Sequence, residues 1–274
     1  LGESGIVMHG GDRQALAPAG HVARNNHIHH FARWCRTMRV GIGMQGVGLE
    51  ASHNRIHDAP HTAILFKGND HTIAFNHIYR VVLQTGDAGV IYTGRDWPMR
   101  GNVIRHNYIP DTPSVIHFGT MAVYLDDLAS GVLVEGNVFV NAGRAAFIGG
   151  GRDNRVLNNI FIDCQAAVHL DARGVGWANQ RILLRQGSWN LFGKLEEVPF
   201  DSPPYSDKYP ELAEMLEDEP LEPRHNVVRR NICMGKGKWL EINDVPESVL
   251  YLADNFVEGD PKLAAADQTQ AGFA

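Results

Sequence analysis

The sequence predicts an all-β chain wound into a parallel β-helix, a solenoid carrying one long loop-and-helix insertion. Three observations predict it. An asparagine-centred phrase recurs eight times; an alternating register runs through the segments between copies; and the 29 glycines and 13 prolines imply many turns, while helical periodicity is scarce before residue 205.

The phrase reads apolar-x-x-Asn-x-apolar. Its copies are Ala23…Asn26-His27-Ile28, Ala51…Asn54-Arg55-Ile56, Ile73…Asn76-His77-Ile78, Ile104…Asn107-Tyr108-Ile109, Val134…Asn137-Val138-Phe139, Val156…Asn159-Ile160-Phe161, Val228…Asn231-Ile232-Cys233 and Leu252…Asn255-Phe256-Val257. Successive asparagines are 28, 22, 31, 30, 22, 72 and 24 residues apart. Such steps suit coils whose loops vary in length, because only the strands must match when coils stack about 4.8 Å apart. A sandwich would instead space its strands evenly, at about 8 to 12 residues. Each asparagine is expected at a bend, in a left-handed or bridge conformation, passing amide hydrogen bonds up the stack. The apolar partners at −3 and +2 would fill the bore.

The strand after each copy carries the second register. The segments are Ala63–Lys67, Val90–Gly94, Ala122–Asp126, Ala145–Gly149 and Ala167–Asp171. One parity (Ile64, Phe66, Ile91, Thr93, Val123, Leu125, Ala146, Ile148, Val168, Leu170) is almost wholly apolar and belongs inside. The other faces outward, with Leu65, Tyr92, Tyr124, Phe147 and His169 in one file and Lys67, Gly94, Asp126, Gly149 and Asp171 in the next. Aromatics beside carboxylates, with glycines where a ligand could approach the backbone, suit a sugar-binding groove.

Within that groove Asp126 and Asp171 share a file two coils apart, the spacing of an acid/base pair, with Asp87 as a further catalytic candidate. Asp126 and Asp127 are adjacent, so their side chains are expected to diverge. His169, outward beside Asp171, suits proton transfer or a hydrogen bond to substrate. Tyr92, Tyr124, Asp96, Asp127 and Trp177 are candidate substrate contacts, and Arg95, Arg152 and Arg173 could clamp an acidic sugar or pair with the aspartates. His57, His61 and His71 lie near aspartates without a recognised ligand spacing, so no metal is expected.

Residues 175–224 interrupt the repeat and differ from it in character, with Trp177, Trp189, Pro203-Pro204-Tyr205 and an acidic helical stretch from Tyr209 to Asp218. Leaving the coil just after Asp171 and Arg173, this insertion would wall the groove or pack on bare sheet. From Gly259-Asp260-Pro261 onward the sequence reads as the closing coil and a loose end. The whole chain, 1–274, reads as one β-helix domain, and its start at Leu1 reads as the interior of a longer protein.

Composition excludes several classes. A hydrophobic content of 44% rules out disorder. The net charge of −6 without a long basic run disfavours nucleic acid as partner. No apolar run approaches a membrane span. Three cysteines without a C-x-x-C pair read as free thiols, mostly buried. Exposed end coils could drive oligomerisation.

Gly10-Gly11-Asp12-Arg13, Asp58-Ala59-Pro60-His61, Gly68-Asn69-Asp70-His71, Gly86-Asp87-Ala88-Gly89 with Ile91–Trp97, Tyr124-Leu125-Asp126-Asp127, Gly149–Asn154 and His169–Gly174 together resemble bacterial right-handed parallel β-helix repeat proteins of the pectate-lyase-like superfamily, β-helix glycoside hydrolases in particular. The resemblance implies a secreted or periplasmic protein acting on a poly- or oligosaccharide. Hydrolases of that superfamily use paired carboxylates, here Asp126 and Asp171. Its lyases and epimerases use a Lys, Arg or His base, here His169 or Lys67, with an arginine such as Arg95 or Arg173, or calcium, neutralising a uronate. Otherwise no cofactor is expected. A third expectation is a non-catalytic β-helix that binds glycans or builds a surface assembly.

Overall fold

The computed structural model describes residues 2–113, 119–259 and 261. Its strands form three parallel sheets of eight, eight and seven members, and each coil contributes one strand to each sheet in turn. The first sheet holds the longest strands: Ile6–Gly10, Ile42–Val47, Ile64–Asn69, Ala88–Gly94, Thr120–Asp126, Arg144–Gly149, Ala166–Asp171 and Lys238–Asn243. The second and third sheets hold mostly three-residue strands, such as Val134's Leu133–Glu135 and Ile104's Val103–Arg105 in the second. Parallel order throughout makes the chain a parallel β-helix, as the repeat predicts.

All eight asparagines form one continuous ladder at the bend between the second and third sheets. Each Nδ2 donates to the Oδ1 of the next asparagine at 2.9–3.1 Å. That same Oδ1 accepts the backbone N–H of the preceding asparagine at 2.9–3.0 Å. The other Nδ2 hydrogen goes to the carbonyl of the apolar residue at −3 in the preceding coil, as from Asn54 to Ala23 and from Asn137 to Ile104. Both amide hydrogens and both carbonyl lone pairs of an interior asparagine are thereby used, which is the condition for burying it.

One expectation is corrected. The left-handed residue at this bend is the one before the asparagine: Asn25, His53, Phe75, His106, Gly136, Asn158, Arg230 and Asp254 all have φ between 54° and 65°. The asparagine serves as the side-chain bridge and its predecessor makes the turn. A second, shorter set of buried asparagines, Asn102, Asn154 and Asn226, lies at the bend between the first and second sheets, where Asn226 Oδ1 accepts the Asn154 N–H at 2.9 Å. Nothing in the sequence reading found it, because only three coils carry it and Val132 takes the place between Asn102 and Asn154.

The bore is filled as the alternation requires. Ile64, Phe66, Ile91, Val123, Ile148, Val168 and Leu170 are fully or almost fully buried, and the phenyl rings of Phe139 and Phe161 stack at 5.2 Å. The cysteines depart from expectation: all three are free, but only Cys164 is buried, while Cys35 and Cys233 are partly exposed.

Between Asp171 and Asn226 the chain leaves the coil and folds into short helical pieces, Asn179–Leu183, Leu191–Glu196, Tyr205–Lys208 and Pro210–Ala213 among them. None is long enough to be stable alone. They hold together by a separate apolar cluster in which Ile182, Leu191, Tyr205, Leu212 and Met215 pack on Trp97 and Leu128 from the coils. Polar ties fix the same docking: Tyr209 donates to Asp70 Oδ1 at 2.8 Å and Lys208 pairs with Asp70 at 2.6 Å.

Candidate functional site

The outward files of the first sheet are in register as the alternation predicts. Tyr92 pairs with Leu65 and Tyr124, Tyr124 with Phe147, and Phe147 with His169, while Gly94 pairs with Asp126 and Gly149 with Asp171. Over these files opens a cleft of about 320 Å³ lined by Asp87, Arg95, Met121, Tyr124, Asp126, Asp127, Arg144, Phe147, His169, Arg173 and Trp177. Tyr124, Phe147 and His169 are nonetheless buried, because they stack on one another and the Arg173 guanidinium lies over the Tyr124 and Phe147 rings.

Arg173 is the centre of the site. Its Nη1 donates to Asp126 Oδ1 and, at 2.9 Å, to Asp127 Oδ1, while its Nη2 donates to Asp171 Oδ2 at 2.7 Å. The guanidinium also lies 5.1 Å from the Phe147 ring centre and 5.6 Å from that of Trp177. Gly149 makes room for it: a Cβ there would sit 2.7 Å from Arg173 Cζ. The gap that glycine leaves in the file is therefore filled by an arginine of the next turn. Burial alone would lower the Arg173 pKa, but its bonds to Asp171 and the charges around it hold the guanidinium more firmly protonated than usual.

Adjacent Asp126 and Asp127 were expected to diverge, and they converge. The strand ends at Asp126, and Asp127 has a left-handed φ of 40°, which swings its carboxyl back to the same nitrogen. Burial, then the charge of Asp126, push the Asp127 carboxyl up to about 6, against the pull of Arg95 and Arg173. Arg95 Nε donates to Asp127 Oδ2 at 2.5 Å, and its guanidinium rests 4.7 Å over Trp189 of the insertion. The two tyrosines act as donors: Tyr92 OH to Asp126 Oδ2 at 2.7 Å and Tyr124 OH to Asp87 Oδ1 at 3.2 Å. Burial, then Asp126, raise both phenols above their usual range, so they keep their protons.

His169 stacks on Phe147 with ring centres 4.0 Å apart and planes 3° from parallel. Its Nε2 takes the Asn243 amide at 2.9 Å, and its buried Nδ1 has no partner among the described residues. Burial depresses its pKa to about 4, so it is neutral near pH 7. Arg144, Met121, Glu241 and Asn243 were missed by the sequence reading. Arg144 and Glu241 approach at 4.0 Å across the sheet. The signal was present, since Glu241 pairs in register with His169 and Asn243 with Asp171, but the strand Lys238–Asn243 follows the insertion and was not aligned with the others.

Other candidates lie elsewhere. Asp96 is turned away to a bidentate pair with Arg13 at 3.1 and 3.2 Å. Arg152 is buried under the insertion against Asp153 and Asp218. Lys67 is exposed, two coils from Asp126, and does not line the cleft. His71 accepts the Leu49 N–H and donates to the Lys67 carbonyl, His57 bonds Asp58 at 2.7 Å, and His61 bonds Thr85 at 2.9 Å; these are ties to near neighbours and between adjacent coils. The residues do not fit calcium: where three carboxylates converge, Arg173 already supplies the cation. Among the described residues no group of three or more His, Cys, Asp or Glu side chains could hold a metal ion, and no helix is long and apolar enough to cross a membrane.

A family model described as a right handed beta helix region matches residues 40–181, just over half of the chain. No curated protein and no solved structure matches it.

Proposed function

The chain belongs to the right-handed β-helix family, and from that premise we propose that it is a carbohydrate-active enzyme, a glycoside hydrolase working in the cleft around Arg173. The observation that carries the reading is one carboxyl held near neutrality beside another: Asp127, pushed up to about 6, next to Asp126. A carboxyl raised toward neutrality beside a second carboxyl supplies the acid and the partner that glycosidic cleavage requires. Asp127 would protonate the leaving oxygen, and Asp126, oriented by Tyr92 and Arg173, would face the anomeric carbon. Their shared nitrogen keeps these two close, which suits the separation of about 5 Å of a retaining pair better than the 6.5–9.5 Å of an inverting one. Asp171, gripped by Arg173 through two nitrogens, positions the arginine.

A uronate lyase or epimerase is less well supported. The lone pair of His169 Nε2 is taken by Asn243, and Arg173 is held too firmly protonated to act as a base. One observation favours a second reading, glycan binding without turnover: Asp126, Asp127 and Asp171 are all satisfied by arginines already in place.

The test is a screen of neutral and uronate-rich polysaccharides that follows reducing ends and the absorbance of unsaturated products together. Reducing ends without absorbance, lost in both Asp126→Asn and Asp127→Asn, are expected. Absorbance would move the assignment to a lyase, and binding without either signal would establish the second reading.

A further inference from the structure

A second groove, about 610 Å³, runs along the bend between the second and third sheets, away from the Arg173 cleft. The ladder asparagines form its floor. One wall is a stack of His53, Phe75 and His106, with ring centres 5.0 and 5.1 Å apart. The other carries Arg55, His77 and Tyr108, with the last two rings 5.0 Å apart. No carboxylate is among the described residues that line it.

The first wall is built from residues that the bend does not favour. His53, Phe75 and His106 sit at the left-handed bend, with φ of 55°, 57° and 54°, where other coils place Asn25, Gly136, Asn158, Arg230 and Asp254. An asparagine or glycine is easier there than a phenylalanine. Phe75 stacks on His53 and His106 yet keeps 49% of its surface exposed, so burial offsets the strain only in part. Strain kept at an exposed position points toward binding.

We propose that this groove is a binding site for an acidic oligosaccharide lying along the solenoid axis, an accessory to the cleft. The proposal rests on the glycan reading above. Arg55, steadied by Nε and Nη2 bonds to the Tyr79 hydroxyl at 3.0 and 2.6 Å, offers its guanidinium to a sugar carboxylate or sulfate. The imidazoles supply hydrogen bonds to hydroxyls or further acidic groups. A single-stranded nucleic acid fits less well, since its bases need free aromatic faces and a basic track. Here the rings cover one another's faces, the wall holds one arginine, and the chain carries a net charge of −6.

The test is calorimetric titration of the full chain with a short oligouronate, a neutral oligosaccharide of equal length and a single-stranded oligonucleotide. Phe75→Asn, which adopts the residue of equivalent bends, and Arg55→Gln should each weaken oligouronate binding about tenfold or more. Asp127→Asn, which disables the cleft, should leave that binding intact. The proposal is overturned if both groove variants bind like the wild type, if the neutral sugar binds as tightly, or if the oligonucleotide binds more tightly. Oligouronate binding that depends on Phe75, with no glycan cleaved by the wild type, would refute the hydrolase reading and leave the groove standing.

Discussion

Asp127 is the residue whose chemistry is most open to measurement. Its folded pKa, about 6, lies above the ordinary carboxylate value of 3.8, so folding favours the protonated form. The stability this contributes is complete below about pH 4 and is lost as the pH rises through about 6, about 3 kcal/mol in all. Asp127→Asn, which cannot ionise, should therefore gain stability relative to the wild type across that window, with a constant gap above it. Denaturant midpoints between pH 4 and pH 8 check this, and parallel curves would refute the raised pKa. Arg173→Ala should act in the opposite sense. Stripping the cation from Asp126, Asp127 and Asp171, all largely buried, should cost about 3–5 kcal/mol. Arg173→Lys should recover part of that, because a single ammonium cannot fork toward three carboxylates. The sequence revealed that Asp126 and Asp171 end strands two coils apart in one file, with Arg173 just beyond the second, since alternation is a property of the backbone. It did not reveal that Arg173 would pass through the gap at Gly149, nor that the left-handed turn at Asp127 would bring adjacent carboxyls together. Both depend on side chains beyond the strand, where the two-residue period no longer applies.

Among the repeating elements the asparagine ladder is the most legible, because it demands one residue type at one position in every coil. A buried amide with four bonds has no substitute of the same shape and polarity. Asn137→Ala, in the middle of the stack, removes those bonds and leaves one amide hydrogen and the backbone N–H of Asn107 without acceptors. It should cost about 2–4 kcal/mol. Asn26→Ala, at the partly exposed first rung, should cost markedly less, and equal losses in chemical denaturation would mean that the ladder does not carry the stability assigned to it. The turn-making residue just before each asparagine was illegible for the converse reason. Asn, His, Phe, Gly, Arg and Asp all occupy it, so the conformation repeats while the letter does not. Lys238–Asn243 was similarly hidden, its register to Ala166–Asp171 broken in sequence by the insertion and restored only in space.

At the scale of the molecule, the insertion meets the cleft at two points, Trp177 against Arg173 and Trp189 against Arg95, and the second bears on Asp127. Arg95 lies against Trp189 and reaches Ser188 Oγ at 3.5 Å while its Nε holds Asp127. Lys194 of the insertion also donates to the Arg95 carbonyl, so the helical pieces fix both the backbone and the guanidinium of this residue. Of the two arginines on Asp127, Arg95 is the more exposed, with 38% of its side chain accessible against 6% for Arg173. It is the one that can yield to a substrate. Because Arg95 stabilises the ionised form of Asp127, Arg95→Gln should raise the Asp127 pKa above about 6. The alkaline limb of the hydrolysis profile should then move to higher pH, while the variant keeps the fold. Ser188→Ala, which loosens the guanidinium without removing its charge, should move the limb in the same direction by less. A limb that stays in place in Arg95→Gln would mean either that Asp127 is not the titrating acid or that the insertion packs on the sheet without tuning it. The Asp127→Asn profile separates those two outcomes: a limb that survives in that variant belongs to another group, whereas its disappearance leaves Asp127 as the acid and Arg173 as the cation that sets it.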